Sequence, residues 1–489
     1  MAKPERGQEG CQSTAGGSDG VKLFTMNKYL SSSLRTLSVV CCLLSAICTS
    51  AQQALTDITR DITLSASNYV CYRGAAAPAP TAAPKGYKPC YISSYARHGS
   101  RWLIQPDQYA SAWRKMHRAD SLALLTPRGC EVLEVLDQMM TVSDGRLGEL
   151  TDIGAEQHRG IGARMASRWP EIFKDGGFIE ARSTPVIRCI FSMENELWSL
   201  KQAFPTLDVH NDGSHADIWY LNCQDSKRRR HFLTDEQWRA GQQVARQFDV
   251  QHADELRAIN DRLALALFTD TAKVKTQANV NIASLRDQLF DIAGNMQSHA
   301  FATRGHHAVP NPVIEARYDL YDLFTPADAY LLWKRANWGW YVYYGHNPVC
   351  GAEAPFSQTY LLRSFIAAAD SCLATQQQRG HKPRNVATLR FGHEVCVLPL
   401  ACLMELGSCG YRATNPDELA EHWRNYEIFT MASNIQLVFF RSKKTEAPIL
   451  VKALLNERET TIADLPQTTP GFYEWEKIKA FWEAKLTGK

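Results

Sequence analysis

The chain has 489 residues, 45% of them hydrophobic and 21% charged, and a net charge of +3. Those values are ordinary for a globular protein and suit one large domain with an insertion, or two domains sharing a core. They argue against a global field that would draw in nucleic acid or an acidic membrane surface, and after residue 52 no apolar run is long enough to span a bilayer.

Residues 1–25 are rich in Gly, Ser and charge and show no periodicity. Met26 then opens a segment with Lys28 and Arg35, an apolar run over 37–48 and the small residues Thr49, Ser50 and Ala51. That order is the order of a secretory signal peptide. Translation is therefore expected to start at Met26, with cleavage after Ala51 and an exported product: periplasmic, outer-surface or extracellular. Ile47 is too bulky for lipoprotein processing at Cys48. Of the 14 cysteines, ten lie beyond Gln52: Cys71, Cys90, Cys130, Cys189, Cys223, Cys350, Cys372, Cys396, Cys402 and Cys409. An even number in an oxidising compartment permits disulfides, and Cys71–Cys90 and Cys402–Cys409 are the local pairs expected. Paired CxxC spacing with histidine neighbours is lacking, so no structural zinc site is expected.

Residues 52–70 read as a short amphipathic helix, and 74–87 as an extended Pro/Ala loop. Residues 91–95 read as a buried strand that runs into Arg97, His98, Gly99, Ser100 and Arg101. Two guanidinium forks match phosphate oxygens in a planar, bidentate way, and a histidine held between them would face the captured phosphate as a nucleophile. Gly99 is expected to let the backbone turn sharply. The alternative is a solvated basic turn carrying an incidental histidine. Helical spacing follows over 108–125 and 127–142, and Thr151 is placed to cap a further helix. His158 and Arg159 on that helix either approach a substrate or lie on its solvent face, the usual home of charge.

Residues 178–181 repeat the strand pattern, turn at Arg182, Ser183 and Thr184, and lead into a helix from Ile187. Arg188 sits in its first turn, as an anion-binding cation or as a surface cation capping a neighbour. Helical periodicity dominates 206–340, notably 234–262 and 282–297. Inside it, Lys227, Arg228, Arg229 and Arg230 form either a solvated face or a set of cations lent to a multiply phosphorylated substrate. Trp333, Trp338, Trp340 and residues 341–344 read as core. The alternation then returns: a helix over 356–372, a strand over 386–391, and the stretch Gly392-His393-Glu394-Val395-Cys396-Val397-Leu398-Pro399-Leu400. Residues 434–440 and 448–456 read as a hairpin, and 472–486 as a surface helix.

Arg97–Arg101 resembles the signature of the histidine acid phosphatases, the clan containing phytases and multiple inositol polyphosphate phosphatases. The helix after Thr151 is similar to that family's Leu-Thr-x-x-Gly-x-x-Gln-His helix. Arg182, Arg188 and Ser192 are similar to its Arg-(x)5-Arg-x-x-x-Ser context for a third phosphate-binding arginine, and 392–400 to its second histidine motif. The resemblance spans about residues 69 to 457. It implies an α/β fold: a three-layer sandwich with a central mixed, mostly parallel sheet, phosphoglycerate-mutase-like, plus an inserted α-helical cap. It divides the chain into extension and signal (1–51), first core part (52–205), cap (206–340) and second core part (341–489).

By the same resemblance, Arg97, Arg101, Arg188 and His393 hold phosphate, and His98 is the nucleophile. Glu394 is then the proton donor, or else a carboxylate that merely pairs with Arg97 or Arg101. Arg182, His158, Lys227, Arg228, Arg229 and Arg230 are candidate substrate contacts. No metal or cofactor is expected, because guanidinium groups supply the charge that a divalent ion would. This chain departs from the family at His-Glu-Val, where inositol polyphosphate phosphatases carry His-Ala-Glu and other branches His-Asp. The expected activity is phosphate monoester hydrolysis on inositol polyphosphates (phytate). The alternatives are a general acid or sugar phosphatase, and a catalytically silent phosphate-ester binding protein.

Overall fold

The computed structural model describes residues 53–222, 233–299, 319–375, 384–444, 446–463 and 465–487. These all belong to one unit, Gln53–Lys489. The signal-peptide reading of 1–51 and the basic run 227–230 lie outside the described residues.

Eight strands form one sheet: β1 Tyr87–Arg97, β2 Gly177–Ser183, β3 Leu207–Asp212, β4 Asn385–Gly392, β5 Asn434–Ser442, β6 Leu450–Leu455, β7 Arg458–Glu459 and β8 Tyr473–Glu474. Their order is β3-β2-β4-β1-β5-β6-β7, with β8 also paired to β6. Strands β3, β2, β4 and β1 run parallel, and β5 and β6 extend the sheet as the antiparallel hairpin expected from the sequence. Period-two alternation sorts β1 between two layers. Tyr91 and Tyr95 pack with helices Thr359–Thr375, Glu394–Met404 and Trp475–Leu486. Ile92 and Ala96 pack with Asp152–Arg168 and Ile187–Ala203 on the opposite face.

A third core contains no strand of the sheet. It joins Gln53–Arg60, Pro106–Asp120, Pro127–Ser143, Ala253–Leu267 and Ile282–Met296 with the first half of Pro326–Tyr344. The helical body thus draws on residues before β2 as well as on the 206–340 stretch, and β3, inside that stretch, is the sheet's edge strand. Side-chain caps fix the helix starts where the sequence placed them. Thr126 and Thr151 accept from the Gly129 and Gly154 amides, and Thr234 forms a capping box with Gln237. The last helix, Trp475–Leu486, is not simply a surface helix: Trp475, Ile478, Trp482 and Leu486 are buried. Neither expected pair, Cys71–Cys90 or Cys402–Cys409, is bridged. Cys71 instead donates to the Gln297 carbonyl at 3.0 Å.

Gly99 corrects another expectation. Its backbone does not need the left-handed region; a Cβ there would lie 2.3 Å from the Gly154 carbonyl oxygen. The glycine allows β1's end to press against the first turn of Asp152–Arg168, where Gly154 returns the favour toward Ser100. Gly99→Ala is expected to cost about 1–3 kcal/mol, the usual range for overpacking a filled site. Denaturant unfolding measures it, and a change below about 0.5 kcal/mol would show that the two backbones separate freely.

Candidate active site

Strand register assembles the site. Arg97 pairs with Gly392 across β1 and β4, and Ser183 pairs with Phe391 across β2 and β4. The residues just beyond these pairs, His98, Thr184 and His393, therefore meet at the carboxyl ends of three parallel strands. That is where open α/β sheets place their ligands.

His98 is fully buried. Its Nδ1 lies 2.8 Å from the Gly99 carbonyl, which can only accept, so Nδ1 carries the proton and Nε2 presents a lone pair. Burial, with Arg188 and Arg97 nearby, holds its pKa well below the ordinary histidine value. The imidazole is neutral at any pH near neutrality, as a nucleophile must be.

Arg97 is also fully buried, and its Nη1 donates to the carbonyls of Asn68 and Phe429 at 2.7 and 3.0 Å. Arg101 donates to the Trp102 carbonyl at 3.0 Å, with its guanidinium 5.6 Å from the centre of the Tyr69 ring. Arg188 Nη1 donates to the Gly148 carbonyl at 3.3 Å. Each fork is thus anchored by one edge. Arg97 Nη2, Arg101 Nε, Arg188 Nε and His98 Nε2 are buried without a hydrogen-bond partner. Leaving so many polar atoms unmet is costly unless a ligand completes them. Their chemistry asks for a tetrahedral oxyanion.

His393 caps the helix Glu394–Met404 and sits 5.7 Å from His98, ring centre to ring centre. Its Nε2 lies 3.2 Å from Thr184 Oγ1, and its Nδ1 3.9 Å from Cys189 Sγ. Burial lowers its pKa to about 4, so it too is neutral.

Glu394 makes the carboxylate–arginine pairing that one of the two sequence readings expected. Its Oε2 is 3.1 Å from Arg97 Nε and 3.5 Å from His98 Nε2, and its Oε1 is 4.0 Å from Arg101 Nη2. Burial alone would raise its pKa, but Arg97 and Arg101 hold it well below the usual carboxylate value. The carboxylate thus lies between the Arg97 and Arg101 guanidinium groups.

His98, His393 and Glu394 offer ligand atoms within 4.8 Å of one another, a spacing a cation could use. Three guanidinium groups converge on the same point, however, and their charge opposes a divalent ion as strongly as it favours an anion.

Two candidate contacts are relocated. Arg182 turns to the sheet edge, donating to the His210 carbonyl at 2.8 Å and pairing with Glu180 and Asp217 at 3.0 and 3.4 Å. It is the penultimate residue of β2, and its side chain is held by the neighbouring strand rather than by the site. His158 is neither on the helix surface nor at the substrate. It is fully buried, with Nδ1 2.9 Å from Glu196 Oε2 and Nε2 3.0 Å from the Arg97 carbonyl. Sequence reasoning missed Tyr69, Cys189 and Glu196 as neighbours of the site. Only for Glu196 was a signal present, since it falls four residues after Ser192, on the same face of one helix.

A scan against protein-family models finds no match, and a sequence search of curated proteins finds none either. Solved structures do match. The Bifidobacterium longum multiple inositol polyphosphate phosphatase, in complex with inositol hexasulfate, aligns with a TM-score of 0.70 at 18% identity, covering 86% of this chain and 98% of that one. Its complex with phosphate gives 0.69 at 19% identity, covering 86% and 97%. The phytase from D. castellii gives 0.59 at 11% identity, covering 88% and 86%. At such identities the shared property is the fold, and the chain, over nearly the whole length of these proteins, has the fold of the histidine acid phosphatases.

Proposed function

We propose that the chain is a phosphomonoesterase working through a phosphohistidine at His98, with inositol polyphosphates as its substrates. The observation that carries this reading is the neutral His98 Nε2 lone pair lying among unsatisfied guanidinium nitrogens. Arg97, Arg101 and Arg188 bind the equatorial oxygens, joined by His393 as a neutral donor. His98 Nε2 attacks phosphorus, and an N–P bond forms as the ester P–O bond breaks. The departing alkoxide takes its proton from Glu394. Glu394 then takes a proton from water, the resulting hydroxide displaces His98, and phosphate leaves. The inositol polyphosphate preference is supported by the fold shared with the Bifidobacterium longum enzyme, whose complexes hold inositol hexasulfate and phosphate. Export rests on the segment 26–51 and is proposed with it.

One observation favours a second reading. An ionised Glu394 is no acid, and a site frozen in this pairing would bind phosphate esters without cleaving them. Phosphate release from phytate and from p-nitrophenyl phosphate separates the two. Turnover of both, lost by at least about 1,000-fold in His98→Ala, is expected. Phytate binding without turnover would favour the silent protein, and turnover of p-nitrophenyl phosphate alone a general phosphatase.

The ion pairing also sets a pH dependence. In the empty site the arginines keep the Glu394 carboxyl ionised in mildly acidic solution. A bound dianion withdraws that positive charge and adds negative charge beside the carboxyl, so its pKa rises and binding takes up a proton. Sulfate does not titrate in this range, and burial holds both His98 and His393 below the ordinary histidine value before it binds. Sulfate affinity is therefore expected to rise as pH falls from about 7 to about 5, by up to about tenfold per pH unit, the limit for one proton. Glu394→Gln is expected to bind sulfate more tightly with a flat profile. Calorimetric titration measures both, and an equal slope in the variant would remove Glu394 from the proton's path.

A further inference from the structure

Both peptide units that flank His98 are bonded at every polar atom. The His98 amide donates to the Gly392 carbonyl at 2.9 Å, and the His98 carbonyl accepts from the Ala432 amide at 3.0 Å. The Gly99 amide donates to Ser192 Oγ at 3.0 Å, and that hydroxyl donates onward to the Arg188 carbonyl at 2.7 Å. The fourth group, the Arg97 carbonyl, accepts from His158 Nε2 at 3.0 Å. Three of these partners are supplied by backbone or a hydroxyl. The fourth needs a titratable pair.

Counting protons defines that pair. A carbonyl only accepts, so His158 Nε2 carries a hydrogen. Nδ1 faces Glu196 Oε2 at 2.9 Å, and both side chains are at most 1% exposed. Either the carboxylate accepts from a second ring N–H, or the carboxylic acid donates to the bare nitrogen. In both cases one proton lies between Nδ1 and Oε2, and the pair is neutral as a whole. Burial raises the Glu196 pKa, with His158 and Arg164 lowering it and Glu457 raising it. A neutral, fully bonded pair can sit beneath the site at little cost, whereas either member alone would be a stranded charge or an unmet donor.

We propose that His158 and Glu196 are positioning residues, holding one shared proton and fixing the Arg97–His98 peptide so that Nε2 stays aimed at the phosphoryl site. This rests on His98 as nucleophile. Ser192 does the same for the following peptide, and because Arg188, Ser192 and Glu196 lie on one helix, phosphate-binding cation and backbone clamp move as one body. The pair touches neither substrate nor reacting atoms. Its loss should misaim the attack rather than weaken phosphate capture, and a displacement near 1 Å at a reacting centre costs about 100-fold in rate.

The test is rapid-quench measurement of phosphohistidine formation from p-nitrophenyl phosphate, beside inhibition by inorganic phosphate, in the full chain. His158→Leu is expected to slow phosphohistidine formation by about 100-fold while the phosphate inhibition constant changes by less than about threefold. His158→Gln keeps a side-chain N–H for the Arg97 carbonyl and is expected to recover to within about tenfold of wild type. A folded His158→Leu variant with an unchanged rate, or equal losses in His158→Leu and His158→Gln, would overturn the inference. Nitrogen NMR of the unaltered protein gives an arm independent of folding and turnover. Both ring nitrogens of His158 are expected to show the chemical shifts of hydrogen-bonded nitrogens. A ring nitrogen without a hydrogen bond would also overturn the proposal. Wild type that forms no phosphohistidine would sink the nucleophile reading instead, and the NMR arm would then decide this one.

Discussion

Three guanidinium groups held around one neutral imidazole are the constraint on which the rest of this structure depends. Packing like charges out of water is expensive, and the fold meets the cost by anchoring each arginine through backbone carbonyls while leaving other nitrogens unmet. Arg97 is tied to Asn68 and Phe429, from segments far apart in sequence. The neighbouring cations also help keep His98 unprotonated, so the field that would draw in an oxyanion also holds the proposed nucleophile neutral.

Glu394 shows the same electrostatics working in the opposite direction. A carboxylate one methylene longer than aspartate reaches from the N-terminus of its helix to Arg97 Nε and His98 Nε2. It neutralises part of the cluster, and in the proposed reaction the charge of the ligand would turn this counter-ion into the proton donor. The His-Glu-Val sequence, unusual against the family's patterns, gains a physical consequence: reach.

Beneath the charges is a layer of close contacts that makes the geometry rigid. Gly99 against Gly154, Ser192 under the Gly99 amide, and the His158–Glu196 pair under the Arg97 carbonyl tie β1 to two helices on one face of the sheet. None of these residues carries chemistry of its own. Together they leave His98 Nε2 as the one unbonded polar atom of that imidazole and its flanking peptides.

Much of this was legible in the sequence because it is local. Strand and helix periodicities, threonine caps and the order Arg-His-Gly-Ser-Arg, Arg188, His393-Glu394 are short-range patterns, and they carried the fold class and picked out side chains that the structure brings together. What the tertiary structure alone decided depends on register and burial. Arg182 and Arg188 are six residues apart, yet one points to the sheet edge and the other into the site, because side chains alternate along a strand and rotate along a helix. His158 looked like a surface residue since charge on a helix usually is. Only the packing of Asp152–Arg168 on Ile187–Ala203 sets it opposite Glu196, where a buried pair can share a proton. Glycine says that a backbone is free or closely approached, and the sequence cannot tell which; at Gly99 it was approach. The candidate residues are written in the chain, whereas the distances that set their charge and aim exist only once distant segments are in contact.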